Sequence, residues 1–282
     1  MKRETIEAWI LKAAEGAENR IPVFEEPAFG TPIVGFGRGD DPLLAEFRRD
    51  IGPFYRLPGD WLTLKYGRDF DPKALSLISW GFPQTGHSRE TNAAETLYPS
   101  HRWALNRTYG EAFQRAMARR LEDWLDGQGI PAVAPMAHPD FRWEKSSRYG
   151  LASNWSERHT AYLCGLGTFG LCDGLISPLG KAMRYGSAIA ALRLEPTPRP
   201  YTRYNEYCLA DRGCDACIRR CPAGAITREG GHDKEKCRAY QESFVVPYCA
   251  TAYGFDGTYG CGLCQTGGPC ERRIPGRTAE DA

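Results

Sequence analysis

Cysteine spacing near the end of the chain constrains this sequence more than any other feature. Nine of the eleven cysteines lie between residues 208 and 270, in less than a quarter of the 282-residue chain. The densest run reads Cys214-x2-Cys217-x3-Cys221-Pro222. Such short spacings let the backbone wrap one compact inorganic group whose metal atoms each bind a thiolate. The segment is therefore predicted to hold metal.

The spacing matches the last three quarters of the bacterial ferredoxin pattern. In that pattern three close thiolates hold one [4Fe-4S] cluster, and the cysteine before Pro reaches a second cluster. The first cysteine of the pattern would stand at position 211, which is Asp211 in this chain. Cys208 is the predicted substitute if the loop bulges outward, and Gly213 makes such a bulge sterically easy.

The number of cysteines suits two clusters. Two clusters require eight thiolates, and a two-cluster ferredoxin fold exchanges the fourth ligands between its motifs. The ligands predicted for the first cluster are Cys208, Cys214, Cys217 and Cys270. Those predicted for the second cluster are Cys221, Cys237, Cys261 and Cys264. Cys249 is left over, and Cys164 and Cys172 lie outside the cysteine-rich region.

Zinc and disulfide bonds are the alternative explanations. Zinc sites use CxxC pairs, but zinc accounts neither for the ending x3-Cys-Pro nor for eight linked thiolates. Disulfides require an oxidising compartment, and the N-terminus, interrupted by Glu4 and Glu7, is not expected to be a signal peptide. No run of about 18 apolar residues predicts a membrane span. The sequence therefore favours iron–sulfur clusters in a cytoplasmic protein that does not bind membranes.

Periodicity predicts an α/β core before the cysteine-rich segment. The predicted helices cover residues 3–15, 41–51, 111–127 and 157–162, and the predicted strands cover 74–82, 130–137 and 184–194. Residues 84–110 have no clear period, so they are either a functional segment or a surface loop. The Pro-rich stretch 195–200 is a stiff linker. We therefore predict a core over residues 1–200 and a two-cluster ferredoxin-like module over residues 201–282.

The run Gly165-Leu-Gly167-Thr-Phe-Gly170 matches the dinucleotide fingerprint GxGxxG. The glycines follow a helical pattern where the fingerprint needs a strand, and no acidic residue ends a second strand about 20 residues later. A Rossmann site is therefore not favoured. The glycines instead suit a close approach of the backbone to a flat ligand or to an adjacent strand.

Several motifs together resemble epoxyqueuosine reductase and, more distantly, the respiratory reductive dehalogenases. The motifs are Ser156-Glu157-Arg158-His159, Gly165 to Gly170, Tyr185-Gly186-Ser187, the run from Cys208 to Pro222, Cys237, and Tyr259-Gly260-Cys261-Gly-Leu-Cys264-Gln265. The resemblance covers residues 150–270 best. It implies an α+β fold in which a nitroreductase-like α/β core precedes the two-cluster module.

The resemblance also implies cofactors for both parts of the chain. Two [4Fe-4S] clusters would feed electrons to cobalamin bound in the core, with flavin as the alternative occupant. The residues that correspond to corrin-approaching stretches of the family are Gly165, Gly167, Gly170, Arg184, Gly186 and Ser187. Basic residues such as Arg148 and Arg158 would attract an anionic substrate or the phosphate tail of the corrin, or else form a solvated face.

The chain departs from the family pattern at the proton donor. The family has an Asp six residues before the Glu of the Glu-Arg pair, and this position is Leu151 here. The substitute acids that we predict are Tyr149, His159, Asp140 and Tyr109. A Tyr beside Arg148 is expected to have a depressed pKa. His159 is alternatively a hydrogen-bonded histidine of the core.

Three functions follow as hypotheses. The first is a reductase that cleaves a C–O or C–halogen bond of a small molecule, with electrons from an external donor such as ferredoxin or flavodoxin. The second is an electron carrier for a corrinoid or other redox partner. The third, epoxyqueuosine reduction in transfer RNA, is not favoured. The net charge of +1 gives no bulk attraction to RNA, and the sequence ends twelve residues after Cys270, so we expect a short branch without the C-terminal RNA-binding region.

Overall fold

The computed structural model describes residues 1–254 and 260–276. Within these residues the α-helices are α1 (Arg3–Ala14), α2 (Leu43–Ile51), α3 (Pro58–Tyr66), α4 (Gly86–Ala94), α5 (His101–Gly127), α6 (Glu157–Leu163), α7 (Ala216–Arg219), α8 (Lys234–Tyr240) and α9 (Val246–Tyr253). A π-helical segment, Gln241–Val245, joins α8 to α9. Short 3-10 turns are Pro22–Phe24, Pro72–Ala74, Pro135–Ala137, Ala210–Arg212 and Leu263–Gln265.

The strands form one four-stranded sheet and several two-stranded ribbons. They are β1 (Arg20–Ile21), β2 (Glu26–Pro27), β3 (Ile33–Arg38), β4 (Ser76–Pro83), β5 (Ala132–Val133), β6 (Trp143–Ser146), β7 (Gly150–Ser153), β8 (Thr168–Phe169), β9 (Leu175–Ile176), β10 (Met183–Ala190), β11 (Ile226–Thr227) and β12 (Gly231–His232). The main sheet has the order β3-β4-β10-β5. Strand β10 is antiparallel to both β4 and β5, so the unit β4-α5-β5 is a crossover with β10 inserted between its strands.

Each face of the main sheet packs against its own group of helices. Along β4, Leu77 belongs to one buried cluster, whereas Ile78 and Trp80 belong to the other. The first cluster contains side chains of α2, α3 and α6, and the second contains side chains of α1 and α5. Because successive side chains of a strand point to opposite faces, β4, which is buried along its whole length, contributes to both clusters. The core is therefore a helix–sheet–helix sandwich.

The structure confirms most of the predicted elements and corrects two regions. The predicted helix over 3–15 is α1, and the strand predicted over 74–82 is β4. The strand predicted over 130–137 is shorter, since β5 covers Ala132–Val133 and a 3-10 turn follows. Residues 84–110 are not a surface loop. They form α4 and the first turns of α5, whose N-cap Ser100 accepts a hydrogen bond from the backbone N–H of Trp103.

The cysteine-rich segment folds from short elements that pack against the core. Tyr201 and Tyr207 belong to the same buried cluster as the core helix α6, and Cys208 and Cys270 pack against that cluster. The last cysteine is tied to the core by the backbone N–H of Lys181, which donates to the carbonyl of Cys270 at 2.8 Å. In the part of the chain that the structure describes, no helix has the length and apolarity needed to cross a bilayer.

Candidate functional site

Five of the predicted ligands surround a single cavity at the junction between the core and the cysteine-rich segment. The cavity is lined by the side chains of Cys208, Cys214, Cys217, Cys264 and Cys270. The four cysteines predicted for the first cluster are all among them. Cys264, which is predicted for the second cluster, also lines this cavity, whereas its neighbour in the motif, Cys261, lies near Cys221 and Cys237.

Cys172 contacts two of these cavity cysteines, Cys217 and Cys264. It comes from the core, between β8 and β9, and it is only 4% exposed. Hydrogen bonds with the thiols of Cys217 and Cys264 hold the pKa of Cys172 well below its usual range. Sequence reasoning set Cys172 aside because it lies 36 residues before Cys208, the nearest cysteine of the motif region. Only the folded chain brings it to the cluster cysteines.

The thiols of Cys221, Cys237 and Cys261 form the second group. Burial raises the pKa of Cys261 to about 11, and the charges of Cys237 and Cys221 act in the same direction. The Cys221 sulfur accepts a hydrogen bond from the backbone N–H of Ala225 at 3.3 Å, and Gln241 donates to the Cys237 sulfur at 3.1 Å. Donors to sulfur stabilise negative charge on it, as a thiolate ligand requires.

A half-buried ion pair lies beside the second group. Nδ1 of His232 is 3.3 Å from a carboxylate oxygen of Asp173, and Lys234 is 3.8 Å from the same carboxylate. Although burial disfavours its charge, hydrogen bonds with Asp173 and Cys237 raise the pKa of His232 to about 9. His232 therefore carries its charge at neutral pH, and Asp173 offsets that charge.

Among residues 1–254 and 260–276, no three His, Cys, Asp or Glu side chains are arranged to hold a single metal ion. The thiols of the first group instead surround one cavity, and those of the second group lie near one another. Lys181, which is 5% exposed, also lines the cavity of the first group. Its buried ammonium suits an anionic cluster with thiolate ligands. The donor set thus fits iron–sulfur clusters, and the assignment of each cysteine to a cluster stays a prediction.

The chain's own backbone occupies the space beside the glycine turn. A Cβ at Gly167 would lie 2.2 Å from the carbonyl oxygen of Ile176, and one at Gly165 would lie 2.7 Å from that of Pro198. Both glycines have positive φ, at 157° and 82°. The approach to an adjacent strand, here β9, therefore explains Gly167 without a ligand. The cofactor roles predicted for Gly165, Gly167 and Gly170 stay predictions.

The predicted cofactor residues on β10 lie in a buried polar region. Gly186 leaves room for the indole of Trp80, whose atoms would be 2.6 Å from a Cβ. Ser187 accepts a hydrogen bond at 2.9 Å from the indole N–H of Trp155. Burial and the charge of Arg107 hold the pKa of Arg184 below its usual range. The cofactor roles of these residues stay predictions.

Positive charge exceeds negative charge around Arg184. Arg107 and Arg158 are among the charges that act on Arg184, and Glu111 is the nearby carboxylate. Glu111 already pairs with Arg107, at 2.6 Å between Oε2 and Nη1. Glu157 adds little negative charge, because burial raises its pKa to about 8. The region therefore suits an anionic ligand.

Glu157 is a candidate acid that the sequence reasoning passed over. Both of its carboxylate oxygens are buried without a well-aligned hydrogen bond among the described residues, and burial outweighs the nearby hydroxyl of Ser187 in setting the pKa. With a pKa of about 8 the group keeps its proton at neutral pH. The Glu-Arg pair marked this position as part of the family motif, but nothing in the pattern signalled a neutral carboxyl group. A neutral buried carboxyl can donate a proton to a bound reactant.

The four predicted acids do not form one group. Tyr149 packs against Arg148 and Lys234, with ring-centre distances of 5.3 and 4.8 Å. The expected depression of its pKa is wrong, because burial outweighs Arg148 and raises the pKa of Tyr149. Asp140 lies 3.4 Å from His138. Tyr109 lies on α5 and is an exposed side chain.

His159 is held by the core. Its Nδ1 is 2.7 Å from Oγ of Ser156, and its ring packs between Phe47 and Phe169 at 4.8 and 4.9 Å. Burial lowers the pKa of His159 to about 4, so it is neutral at pH 7. These contacts are those of a hydrogen-bonded core histidine. A catalytic role for any of the four residues stays a prediction.

Comparison with known proteins gives similar folds and no sequence relatives. No family model matches the chain, and no curated protein matches it. Solved structures similar to it include epoxyqueuosine reductases from Bacillus subtilis, at 19% identity and a TM-score of 0.47, and from Streptococcus thermophilus, at 19% identity and a TM-score of 0.44. They match 86% and 87% of this chain, which spans 62% and 64% of their lengths, less than two thirds.

A reductive dehalogenase structure is also similar. It is a catabolic reductive dehalogenase in complex with 3-bromo-4-hydroxybenzoic acid, at 16% identity and a TM-score of 0.53. The match covers 86% of this chain and 30% of the dehalogenase. The two classes of protein that the motifs resemble are thus the classes to which these solved structures belong. At the level of fold, the resemblance inferred from the sequence is confirmed.

Proposed function

We propose that this chain is an iron–sulfur oxidoreductase that reductively cleaves a C–O or C–halogen bond of a small molecule. Two [4Fe-4S] clusters in the cysteine-rich segment would carry electrons from an external donor to a reaction in the α/β core. When bound, such clusters supply one-electron transfer at low potential. The fold shared with the dehalogenase and the position of the thiols against the core support this proposal.

The observation that carries the proposal is the buried lysine among the cluster thiols. An isolated ammonium group in a protein interior costs several kcal/mol, so buried charges are paired or bind metals. The groups around Lys181 are thiols: Cys172, Cys270, Cys264 and Cys217 are the charges that act on it. Neutral thiols would leave the ammonium without a counter-charge. Thiolates that hold an anionic cluster provide one.

The ligands of the first cluster would be the cavity cysteines Cys208, Cys214, Cys217 and Cys270. Those of the second would be Cys221, Cys237, Cys261 and Cys264. The hydrogen bonds from Ala225 and Gln241 to sulfur would orient two ligands of the second cluster and stabilise their charge. The pair of His232 and Asp173 would hold Cys237 in place.

The anionic part of the organic cofactor of the core would lie toward Arg184. The glycine turn would approach the flat ring from a side away from Ile176 and Pro198, which its glycines already contact. The excess of arginines near Arg184 suits the phosphate group of a cobalamin tail or of a flavin. In this arrangement Arg184 and Arg158 would bind the anion, and Glu157 would hold the proton that the reaction consumes.

The proposal is tested by purifying the protein under anaerobic conditions and recording its absorption spectrum, iron content and bound chromophores. We expect iron–sulfur absorption, and a corrin or flavin that co-elutes after reconstitution. Iron–sulfur clusters with neither chromophore would limit the chain to electron transfer. A protein that binds no iron after anaerobic reconstitution would contradict the proposal.

A second candidate function is electron transfer to a redox partner without bond cleavage. Leu151 favours it, because this residue occupies the family's acid position and lies in β7, paired with Lys145. Leucine cannot donate a proton. Turnover of a halogenated or hydroxylated small molecule by the cofactor-loaded protein, with a chemical reductant and no partner protein, would exclude a pure carrier.

A further inference from the structure

Lys181 is placed in the thiol cavity by the turn that precedes β10. Gly180 has a φ of 87°, and a Cβ there would lie 2.2 Å from the carbonyl oxygen of Glu271. This close approach lets the backbone N–H of Lys181 donate to the carbonyl of Cys270 at 2.8 Å. The lysine is therefore fixed beside the last cysteine of the chain.

The side chain of Lys181 has a defined path into the cavity. Its Cγ and Cδ lie 2.7 Å from the position that a Cβ of Gly174 would occupy, so only glycine leaves room for the stem. The side chain is 5% exposed and lines the cavity together with Cys208, Cys214 and Cys217. Among the described residues it forms no ion pair with a carboxylate, whereas the charge beside the second thiol group, on His232, is paired with Asp173.

We propose that Lys181 raises the reduction potential of the cluster held by Cys208, Cys214, Cys217 and Cys270, so that this cluster is reduced before the other. The inference rests on the proposed function, since it requires both clusters. Reduction adds one electron to a cluster and breaks no bond to the protein. A buried ammonium beside the ligands stabilises the added negative charge with little screening by water. Beside the second thiol group the neighbouring cations, His232 and Lys234, both lie within 4 Å of the Asp173 carboxylate, whereas Lys181 has no carboxylate partner among the described residues.

The test is a redox titration followed by electron paramagnetic resonance on the anaerobically purified, cluster-loaded protein, with dithionite as the reductant. In the wild type we expect two separate reductions. In Lys181→Gln the equilibrium constant for reduction of one cluster should fall about tenfold or more, and tenfold corresponds to about 59 mV for a one-electron couple. The other cluster should change less, because only one of its proposed ligands, Cys264, is among the thiols that act on Lys181. Lys181→Arg, which restores the charge, should recover most of the shift.

A matched control removes an exposed lysine of the same segment. Lys236 lies on α8 beside Cys237 in the sequence, and its side chain is exposed to solvent. Because water screens its charge, Lys236→Gln should leave both potentials within error of the wild type. A shift in Lys236→Gln equal to that in Lys181→Gln would overturn the inference, because burial would then make no difference.

Gly174→Ala tests the position of the lysine while keeping its charge. The added methyl group would displace the stem, so we expect the same cluster potential to fall by a smaller amount. If Lys181→Gln loses iron, this variant decides the matter. If both variants keep their full cluster content and their potentials do not change, the inference is contradicted and the proposed function still stands. The same holds if Lys181→Gln cannot be loaded with clusters and Gly174→Ala, fully loaded, keeps the wild-type potentials. A wild-type protein without clusters would contradict the proposed function itself.

Discussion

At the scale of single residues, the choice between Cys208 and Cys172 as a cluster ligand can be tested directly. Cys208 lines the first cavity and Cys172 contacts two of its cysteines, but the eight predicted ligands include Cys208 and not Cys172. Cys208→Ser should therefore lose about half of the bound iron, and Cys172→Ser should keep nearly all of it. Iron analysis of the two purified variants makes the comparison. The reverse result would make Cys172 the ligand and Cys208 the spare thiol.

The buried carboxyl group of Glu157 predicts a pH-dependent stability. Its pKa rises from an ordinary value of 4.5 to about 8 in the folded chain. Between these values the folded state keeps a proton that the unfolded state releases, so the free energy of unfolding falls as the pH rises. Each unit of pKa difference corresponds to about 1.4 kcal/mol.

Urea unfolding at pH 5 and pH 8 measures this dependence. Glu157→Gln, which cannot ionise, should lose less stability between the two pH values than the wild type. Glu4→Gln is the control, because Glu4 is exposed on the first turn of α1. Equal losses in the wild type and Glu157→Gln would mean that Glu157 is already ionised in the folded protein.

Sequence spacing predicted the thiol-rich chemistry because ligands of one cluster lie close along the chain. It could not predict that Lys181 and Cys172 lie beside these cysteines, because both residues come from the core. Cys208, the nearest cysteine of the motif, is 27 residues after Lys181 and 36 residues after Cys172 in the sequence. No local pattern marks such a contact.

The sequence of the glycine turn was compatible with a close approach to a ligand or to an adjacent strand. The structure shows that the backbone of strand β9 lies against Gly167.

At the scale of elements, one arginine joins the cysteine-rich segment to α4. Nε of Arg220 donates to the carbonyl of Leu263 at 2.9 Å, and its Nη atoms donate to the carbonyls of Asn92 and Ala93 at 3.1 Å. The Asn92 and Ala93 carbonyls lie in the last turn of α4, where the regular helical partners end and, among the described residues, only the Asn92 carbonyl accepts a further bond, from the backbone N–H of Glu95. The guanidinium therefore caps the helix and attaches it to the cluster cysteines.

Arg220→Met should lower the free energy of unfolding by about 3 kcal/mol, because several carbonyls lose a charged donor at once. Chemical unfolding under anaerobic conditions measures the loss. Arg219→Met is the matched control, since Arg219 is exposed and pairs with Asp215 on the surface of α7. We expect a change within about 0.5 kcal/mol for it. Similar losses in the two variants would show that Arg220 does not hold the elements together.

Elements with a clear apolar pattern were predictable from the sequence, such as α1 with its helical spacing and β4 with its mostly apolar run. The region 84–110 was not, because its helices bury polar side chains. In α4 the buried side chains are Ser88 and Asn92, and Asn92 donates to Oγ1 of Thr266 at 3.1 Å. A helix that packs through hydrogen bonds against a neighbouring segment shows no apolar stripe, so periodicity alone misses it.

At the scale of the whole molecule, the cysteine-rich segment and the core share one packing unit. The predicted boundary after residue 200 passes through a buried cluster that contains Tyr162, Tyr201 and Tyr207. Electrons that arrive on the thiol-bound clusters would therefore reach the core over a short path through packed side chains. The similarity to a dehalogenase fold agrees with this arrangement, and the substrate is left for experiment.

The iron content of the anaerobically purified protein tests the central proposal most directly. Two [4Fe-4S] clusters require about eight irons and eight acid-labile sulfides per chain. We predict these amounts in the wild type, and about half of them in Cys208→Ser. About one or two zinc ions per chain, with neither iron nor sulfide, would contradict the proposal and would assign the cysteines to structural metal sites.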